Sequence, residues 1–346
     1  MAEAPLLLVH LGDDVPRYAS AALTLTVRHS GSPVVLLASR AFESVVPDGC
    51  RFVAIDEFHD SGRSASLLQG LAPSVAGRSE LWRTSVERFA VLHDYASAEG
   101  LVEFFHAELD VLAFELPLLA LAIGATGCSG MFVPFDHPER AIASLVYVND
   151  PAALGRFVEW LPTQRYTSDM DAVAQFARHD PTSVIGLPTL EVLQDVRRFE
   201  SVGLRVLRPG AVGFLVDAAS LGQWVAGIDA RNRSWRRVER NHFVNEMVPD
   251  PAHLAASELT WDAPLPVLVA PDGRSYRVHC LHVHSKIHQH LLAPSALPRL
   301  LFRAQRAGQG VLPGGRRRLV HRSVSVVRRR ARRTVIATLR RVGRRR

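Results

Sequence analysis

Glu108 and Asp110 stand either side of one residue, just after the apolar run that ends Phe105-His106-Ala107. Two carboxylates so spaced beyond a strand end can both turn toward one divalent cation. Hard cations such as Mg²⁺ and Mn²⁺ prefer oxygen ligands and share their shell with substrate phosphates. An acid-x-acid triplet is also a common pattern of solvated loop charge. Far along the chain, His282, His284 and Lys286 alternate in one extended stretch, which places all three on one side. A neutral imidazole can complete a metal shell, and a lysine ammonium can hold a phosphate as a point charge. Lys286 is the only lysine among 41 basic residues, a compact ammonium where guanidinium is otherwise the rule. His288 and His290 continue the series, as they would in a His-rich surface segment.

The elements that must position these groups read as follows. Leu6–Leu11 is a buried parallel strand. Asp13 and Asp14 cap a helix with Pro16 in its first turn, running to about His29. Pro33–Leu37 and Arg51–Ile55 are two more strands, and this β-α-β-β opening predicts an α/β fold with a mostly parallel central sheet flanked by helices. Residues 57–80 are rich in Ser and Gly and read as a loop. Trp82–Ala98 is a helix with Val86, Phe89, Ala90 and His93 on one side, and Leu101–Phe105 is the strand that delivers Glu108 and Asp110. The carboxyl end of a central strand is where open α/β sheets bind ligands. Ile142–Val148 reads as a strand and Pro151–Trp160 as a helix. Ser168–His179 is a helix capped by Ser168 or Asp169. Residues 210–247, dense in Gly, Asn, Arg and aromatics, read as a binding region, and a hairpin turns at Asp272-Gly273.

The 346 residues are 47% hydrophobic and 22% charged, a globular composition that excludes disorder for most of the chain. The net charge of +7 conceals a division. Residues 303–346 hold 16 of the 41 basic residues and no acid, leaving 25 basic against 34 acidic in 1–302, a net of −9. The expected layout is a catalytic-sized body over 1–298, a Gly/Arg-rich linker over 299–318 and a basic tail over 319–346. In the tail Val320, Val324, Val327, Ala331, Val335, Leu339 and Val342 recur at helical spacing with Arg between them. Such a helix fits an anionic membrane surface, where each Arg contributes roughly 1 kcal/mol. Nucleic acid is disfavoured, since the tail has no aromatic residue for stacking; a solvated tail is the third reading. Three widely spaced cysteines make no disulfide framework, no signal peptide or membrane span is evident, and a cytoplasmic protein held peripherally at the inner face of the membrane is expected.

Trp82-Arg-Thr-Ser-Val-Glu-Arg88-Phe89 followed by Phe105-His-Ala-Glu-Leu-Asp110 resembles the nucleotide-sugar glycosyltransferases of GT-A type, in which an Arg-bearing helix precedes a strand ending in a DxD motif. Ile142–Asn149, Ser168-Asp169-Met170-Asp171, Phe214–Asp217, Gly222-Gln223, Gly227–Asn232 and Leu281–Lys286 are similar to a bacterial and plant branch of that group. The resemblance spans roughly 5–290 and leaves the tail uncovered. It implies a GT-A-like fold and transfer of a sugar from a nucleoside diphosphate donor, with Mn²⁺ or Mg²⁺, to an acceptor that is a glycan, lipid or protein. Asp110 and Glu108 match the DxD positions, with Glu a departure at the first. His284 or His282 matches the late metal histidine and Lys286 the diphosphate lysine of the glycogenin-like group, a likeness that favours retention of the anomeric centre.

The resemblance also implies that Arg88 neutralises the departing diphosphate with Lys286. The turn at His10, Gly12 and Asp14 would lie under the nucleoside, and Asp56 would accept from base or ribose. Asp171 and Asp217 are the acceptor-side carboxylates, together with Asp229, Arg231, Asn232 and Glu246. An inverting enzyme needs one of these carboxylates as base. A phosphoryl or nucleotidyl transferase would use the same acid-x-acid and lysine set, and a non-catalytic nucleotide-sugar-binding module would keep the fold alone.

Overall fold

The computed structural model describes residues 3–72, 79–226, 257–262 and 264–301. Leu6–His10 (β1), Val34–Ala38 (β2) and Cys50–Ala54 (β3) pair in parallel with β2 between the other two. Phe104–Ala107 (β4) joins the free edge of β1, also in parallel. Val111–Ala113 (β5) leaves the sheet. Met131–His137 (β6), Arg140–Ala141 (β7), Leu145–Val148 (β8) and Val184–Leu187 (β9) complete it. β8 lies antiparallel between β4 and β6, and β9 runs parallel to β6. The order is β3-β2-β1-β4-β8-β6-β7, with β9 on β6, a central and mostly parallel sheet flanked by helices.

The helices are Ala19–His29 (α1), Ser61–Leu67 (α2), Ser79–Ala98 (α3), Leu116–Gly124 (α4), Pro151–Trp160 (α5) and Asp169–His179 (α6), with shorter turns after them. The period of two along β1 sorts its side chains between two cores. Leu7 packs with Phe89, Phe157 and Phe176 of α3, α5 and α6. Leu6 and Leu8 pack with Leu23 of α1 and Leu119 of α4 on the other face. Each large apolar side chain so buried contributes about 1.5–3 kcal/mol.

A smaller sheet, Phe214–Leu215 (β10), Glu258–Asp262 (β11), Leu265–Val269 (β12) and Ser275–Val278 (β13), runs in the order β10-β13-β12-β11. The β12–β13 hairpin turns where expected, with Gly273 at φ 82° and the Asp272 side chain accepting from the Arg274 amide. The chain then changes partner: Cys280–His282 (β14) pairs antiparallel with β5.

Two expectations are corrected. Pro16 forms a turn whose carbonyl accepts from the Ala19 amide, so α1 begins at Ala19, and Asp13 and Asp14 are exposed residues of the approach rather than caps. Residues 57–80 are not all loop. The Asp60 carboxylate accepts from the Gly62 amide at 2.8 Å and starts α2, whose Ser64 and Leu67 are buried. The Ser/Gly composition hid this helix because tertiary burial, rather than propensity, sustains it. Asp229, Arg231, Asn232, Glu246 and the tail over 319–346 lie outside the described residues. Among the described residues, no helix is long and apolar enough to cross a membrane.

Candidate active site

β4 hands the chain to a tight turn. The Glu108 amide donates to the Ser144 carbonyl on the neighbouring segment, and the Val111 amide closes back on the Glu108 carbonyl at 3.0 Å. Asp110 sits inside this turn at the start of β5. The β5–β14 ladder places His282 opposite Val111 and continues one step further, the Val283 amide donating to the Asp110 carbonyl at 2.7 Å. A backbone register thus carries His282 to the acid pair across about half the sequence.

One ligand atom each from Glu108, Asp110 and His282 lie within 4.8 Å of one another. His282 Nε2 is 3.4 Å from Asp110 Oδ1 and 3.5 Å from Glu108 Oε2. His282 Nδ1 stands 3.2 Å from the Ala218 carbonyl, a bond that makes Nδ1 the protonated nitrogen of the neutral ring and leaves Nε2 as a ligand. Two carboxylates with an oriented imidazole fit a hard or borderline cation such as Mn²⁺ or Mg²⁺. His284 stacks on His282 with ring centroids 4.0 Å apart and backs the ligand rather than joining the cluster.

Basic groups flank the carboxylates. Lys286 Nζ donates to Asp110 Oδ2 at 2.7 Å and to the Tyr18 hydroxyl at 3.4 Å. The Arg88 guanidinium, 6% exposed, bridges Glu108 and Asp169. Burial alone would raise the Asp110 pKa; His282 and Lys286 outweigh it and hold the carboxyl well below the usual range. Burial would lower His282, but Asp110 and Glu108 push it up to about 9. Burial likewise opposes the charge of Arg88, and Glu108 and Asp169 reverse that effect.

Asp217 supports this arrangement from below. It is 2% exposed, and its two oxygens accept from the amides of Leu221, Gly222 and His282. Those bonds tie the helix Ser220–Ala226 to β14. A Cβ on Gly222 would fall 2.0 Å from the His282 carbonyl oxygen, so only glycine permits the approach. Asp217 therefore positions His282, its oxygens engaged by amides rather than open to an acceptor.

Asp171 is likewise engaged by neighbouring groups. Ser168 caps α6, accepting from the Asp171 amide, and the Asp171 carboxylate accepts from Thr167 and Gln175. It lines a cavity of about 630 Å³ with Arg140 and Arg178. Two positions on a helix face opposite ways, and it is Asp169, turned inward, that reaches Arg88. The capping pattern Ser-x-x-Asp was the available signal that Asp171 would be occupied at the helix start. Tyr18 and Asp169 are site residues that residue spacing alone did not single out. His10 lies half-buried against Phe42, and burial lowers its pKa. Gly12, at φ 106°, lies two residues beyond the end of β1. Asp56 does not join them. It is exposed beside Arg40, at the end of the outer strand β3, with β2 and β1 between it and β4.

No protein-family model matches the sequence, and no curated protein matches it. Solved structures do. A galactosyltransferase, LgtC, in complex with donor and acceptor sugar analogs is 10% identical with a TM-score of 0.38, over 90% of this chain and 98% of that one. An active-site mutant of LgtC is 12% identical with a TM-score of 0.34, over 55% and 78%. Mouse xyloside xylosyltransferase 1 in its apo form is 10% identical with a TM-score of 0.36, over 54% and 86%. The chain is thus similar to glycosyltransferases, distantly in both sequence and geometry, and the functional reading rests on its own residues.

Proposed function

We propose that the chain is a cation-dependent glycosyltransferase that moves a sugar from a nucleoside diphosphate donor to an acceptor carrying a hydroxyl. The observation that carries this reading is the convergence of Glu108, Asp110 and His282 with Lys286 on the far oxygen of Asp110. A divalent ion held by those three groups would supply Lewis-acid neutralisation of the leaving diphosphate. Lys286 adds a mobile positive charge for the same phosphates. Arg88, clamped by Glu108 and Asp169, fixes a guanidinium at the edge of the site without spending water contacts. His10 and Gly12 border the nucleoside.

Among the described residues, each carboxylate at the site already engages Arg88, Lys286, His282 or backbone amides. None stands free as a base, which favours transfer with retention. The basic tail over 319–346 belongs to the same proposal, as an anchor to an anionic membrane surface facing the cytoplasm.

A thermal-shift panel of nucleoside diphosphates and nucleotide sugars with Mn²⁺ tests the reading, because a ligand selective for the native state raises its melting temperature. Stabilisation that requires both Mn²⁺ and a nucleoside diphosphate is expected, followed by sugar transfer in product analysis with the matching donor. Transfer of phosphoryl or nucleotidyl groups instead would replace this reading, and binding without turnover would reduce the protein to a binding module. Co-sedimentation with anionic liposomes, with and without residues 316–346, tests the anchor; equal recovery of both forms would remove it.

A further inference from the structure

His288 is completely buried, and neither of its ring nitrogens has a hydrogen-bond partner. Its ring stacks on Tyr18 with centroids 5.2 Å apart. The same Tyr18 ring carries Lys286 Nζ 5.0 Å from its centroid, so the imidazole and the ammonium share one aromatic plate. The Asp110 carbonyl, which accepts from the Val283 amide, lies close enough to raise the imidazole pKa but outside hydrogen-bond geometry with either ring nitrogen. Burial lowers the imidazole pKa to about 4, which keeps the ring neutral with one N–H to give. Leaving a buried donor unsatisfied costs about 1–3 kcal/mol, a cost recovered when a ligand supplies the missing acceptor.

The ligand that fits is an anion rather than the cation. The cation cluster comprises Glu108, Asp110 and His282, and His288 is outside it, beside Lys286. Lys286 has a left-handed backbone at φ 54°, unusual for a residue with a side chain, and two residues on His288 opens the short 3-10 helix His288–His290. In the arrangement described, Lys286 is spent on Asp110 Oδ2. A cation bound at Asp110 would compete with Lys286 for that carboxylate and leave the ammonium available to a phosphate.

We propose that His288 is a second diphosphate-binding group, donating its ring N–H to a phosphate oxygen of the donor next to the Lys286 ammonium. This rests on the cation-dependent reading of the site. It adds a contact that neither the acid pair nor the lysine provides, and it assigns Tyr18 the work of holding both groups in register.

The test uses the full chain, Mn²⁺ followed by electron paramagnetic resonance, and inorganic pyrophosphate titrated calorimetrically at saturating Mn²⁺. His288→Phe keeps a ring against Tyr18 and removes both nitrogens. The expected result is Mn²⁺ affinity within twofold of the parent and pyrophosphate affinity lowered about tenfold, with Lys286→Ala lowering it as well. His288→Gln, which restores a donor without the ring, is expected to recover part of the loss and serves if the Phe variant folds poorly. Unchanged pyrophosphate affinity in both His288 variants, with Lys286→Ala still impaired, overturns the role of His288 and leaves the site reading intact. Loss of Mn²⁺ binding in the His288 variants also overturns it, by making the residue part of the cation shell or the fold. Failure of the parent chain to bind Mn²⁺ overturns the site reading, and this proposal with it.

Discussion

Helix α3 contributes to two buried ionic clusters, through Arg88 and through Asp94, and the two are built differently. At Asp94, one carboxylate oxygen accepts from His59 Nδ1 at 2.8 Å and the other meets Arg63 Nε at 2.8 Å; His59 Nε2 lies 2.8 Å from Ser64 Oγ. The order Ser-His-Asp is that of a hydrolase triad. Here the aspartate is shared with a guanidinium, and the serine faces inward from α2. His59, Ser64, Arg63 and Asp94 meet in one cluster that fastens α2 to α3. At Arg88 the cluster is open. Its charges come from α3, the β4–β5 turn, α6 and the segment after β14, and His288 beside it keeps two unpaired ring nitrogens. Identical chemistry therefore separates by satisfaction: closed clusters hold elements together, and open ones await a ligand.

That contrast breaks most directly at Asp110. Asp110→Ala is expected to reduce nucleotide-sugar turnover by roughly 10²–10³-fold, with the circular-dichroism spectrum retained; undiminished turnover would remove the open cluster's claim. Asp94→Ala should do the opposite. Breaking a buried pair costs about 3 kcal/mol, visible as a lower urea midpoint, while turnover per folded molecule stays at the parent value. A specific loss of turnover would mean that the closed cluster also serves the reaction.

Asp217→Asn tests the support between them. It should weaken Mn²⁺ binding by about 10–100-fold, the range for a group that orients a ligand, with far less effect on folding than Asp94→Ala. The smallest effect concerns Glu191, another satisfied buried acid, which accepts from Ser220 Oγ. Burial raises its pKa from 4.5 to about 8 in the folded state. Between those values the folded chain keeps a proton that the unfolded chain releases, so stability falls as pH rises from 4.5 to 8. Glu191→Gln should flatten that slope in urea titrations across the same window. An unchanged slope would place the pH dependence elsewhere.

Much of the framework was readable from local pattern. Short apolar runs marked β1, β2 and β3, and α5 spans Pro151–Trp160 as its proline and periodicity predict. The acid pair and the late His-x-His-x-Lys segment, which the fold brings together, were both visible as residue types. What local pattern left undecided has a common cause. Asp171 was favoured over Asp169 because spacing shows two acids, while only helix phase shows which one turns inward. Asp56 ends its strand as expected, but sheet order puts that strand at the edge. The choice between His282 and His284 depends on which of them the β5–β14 register sets opposite Val111.

The sequence by itself determined the apolar runs that build a parallel sheet, the acid pair at the end of a central strand, the late His-x-His-x-Lys segment and the acidic body joined to a basic tail. These depend on neighbours a few residues apart, where steric and periodic rules act directly. The tertiary structure alone decided that β14 leaves its own sheet for β5, that Arg88 bridges Glu108 to Asp169, and that His288 shares Tyr18 with Lys286. Those contacts join positions far apart in the chain. Their energies arise from burial and charge pairing, which exist only once the chain has folded around them.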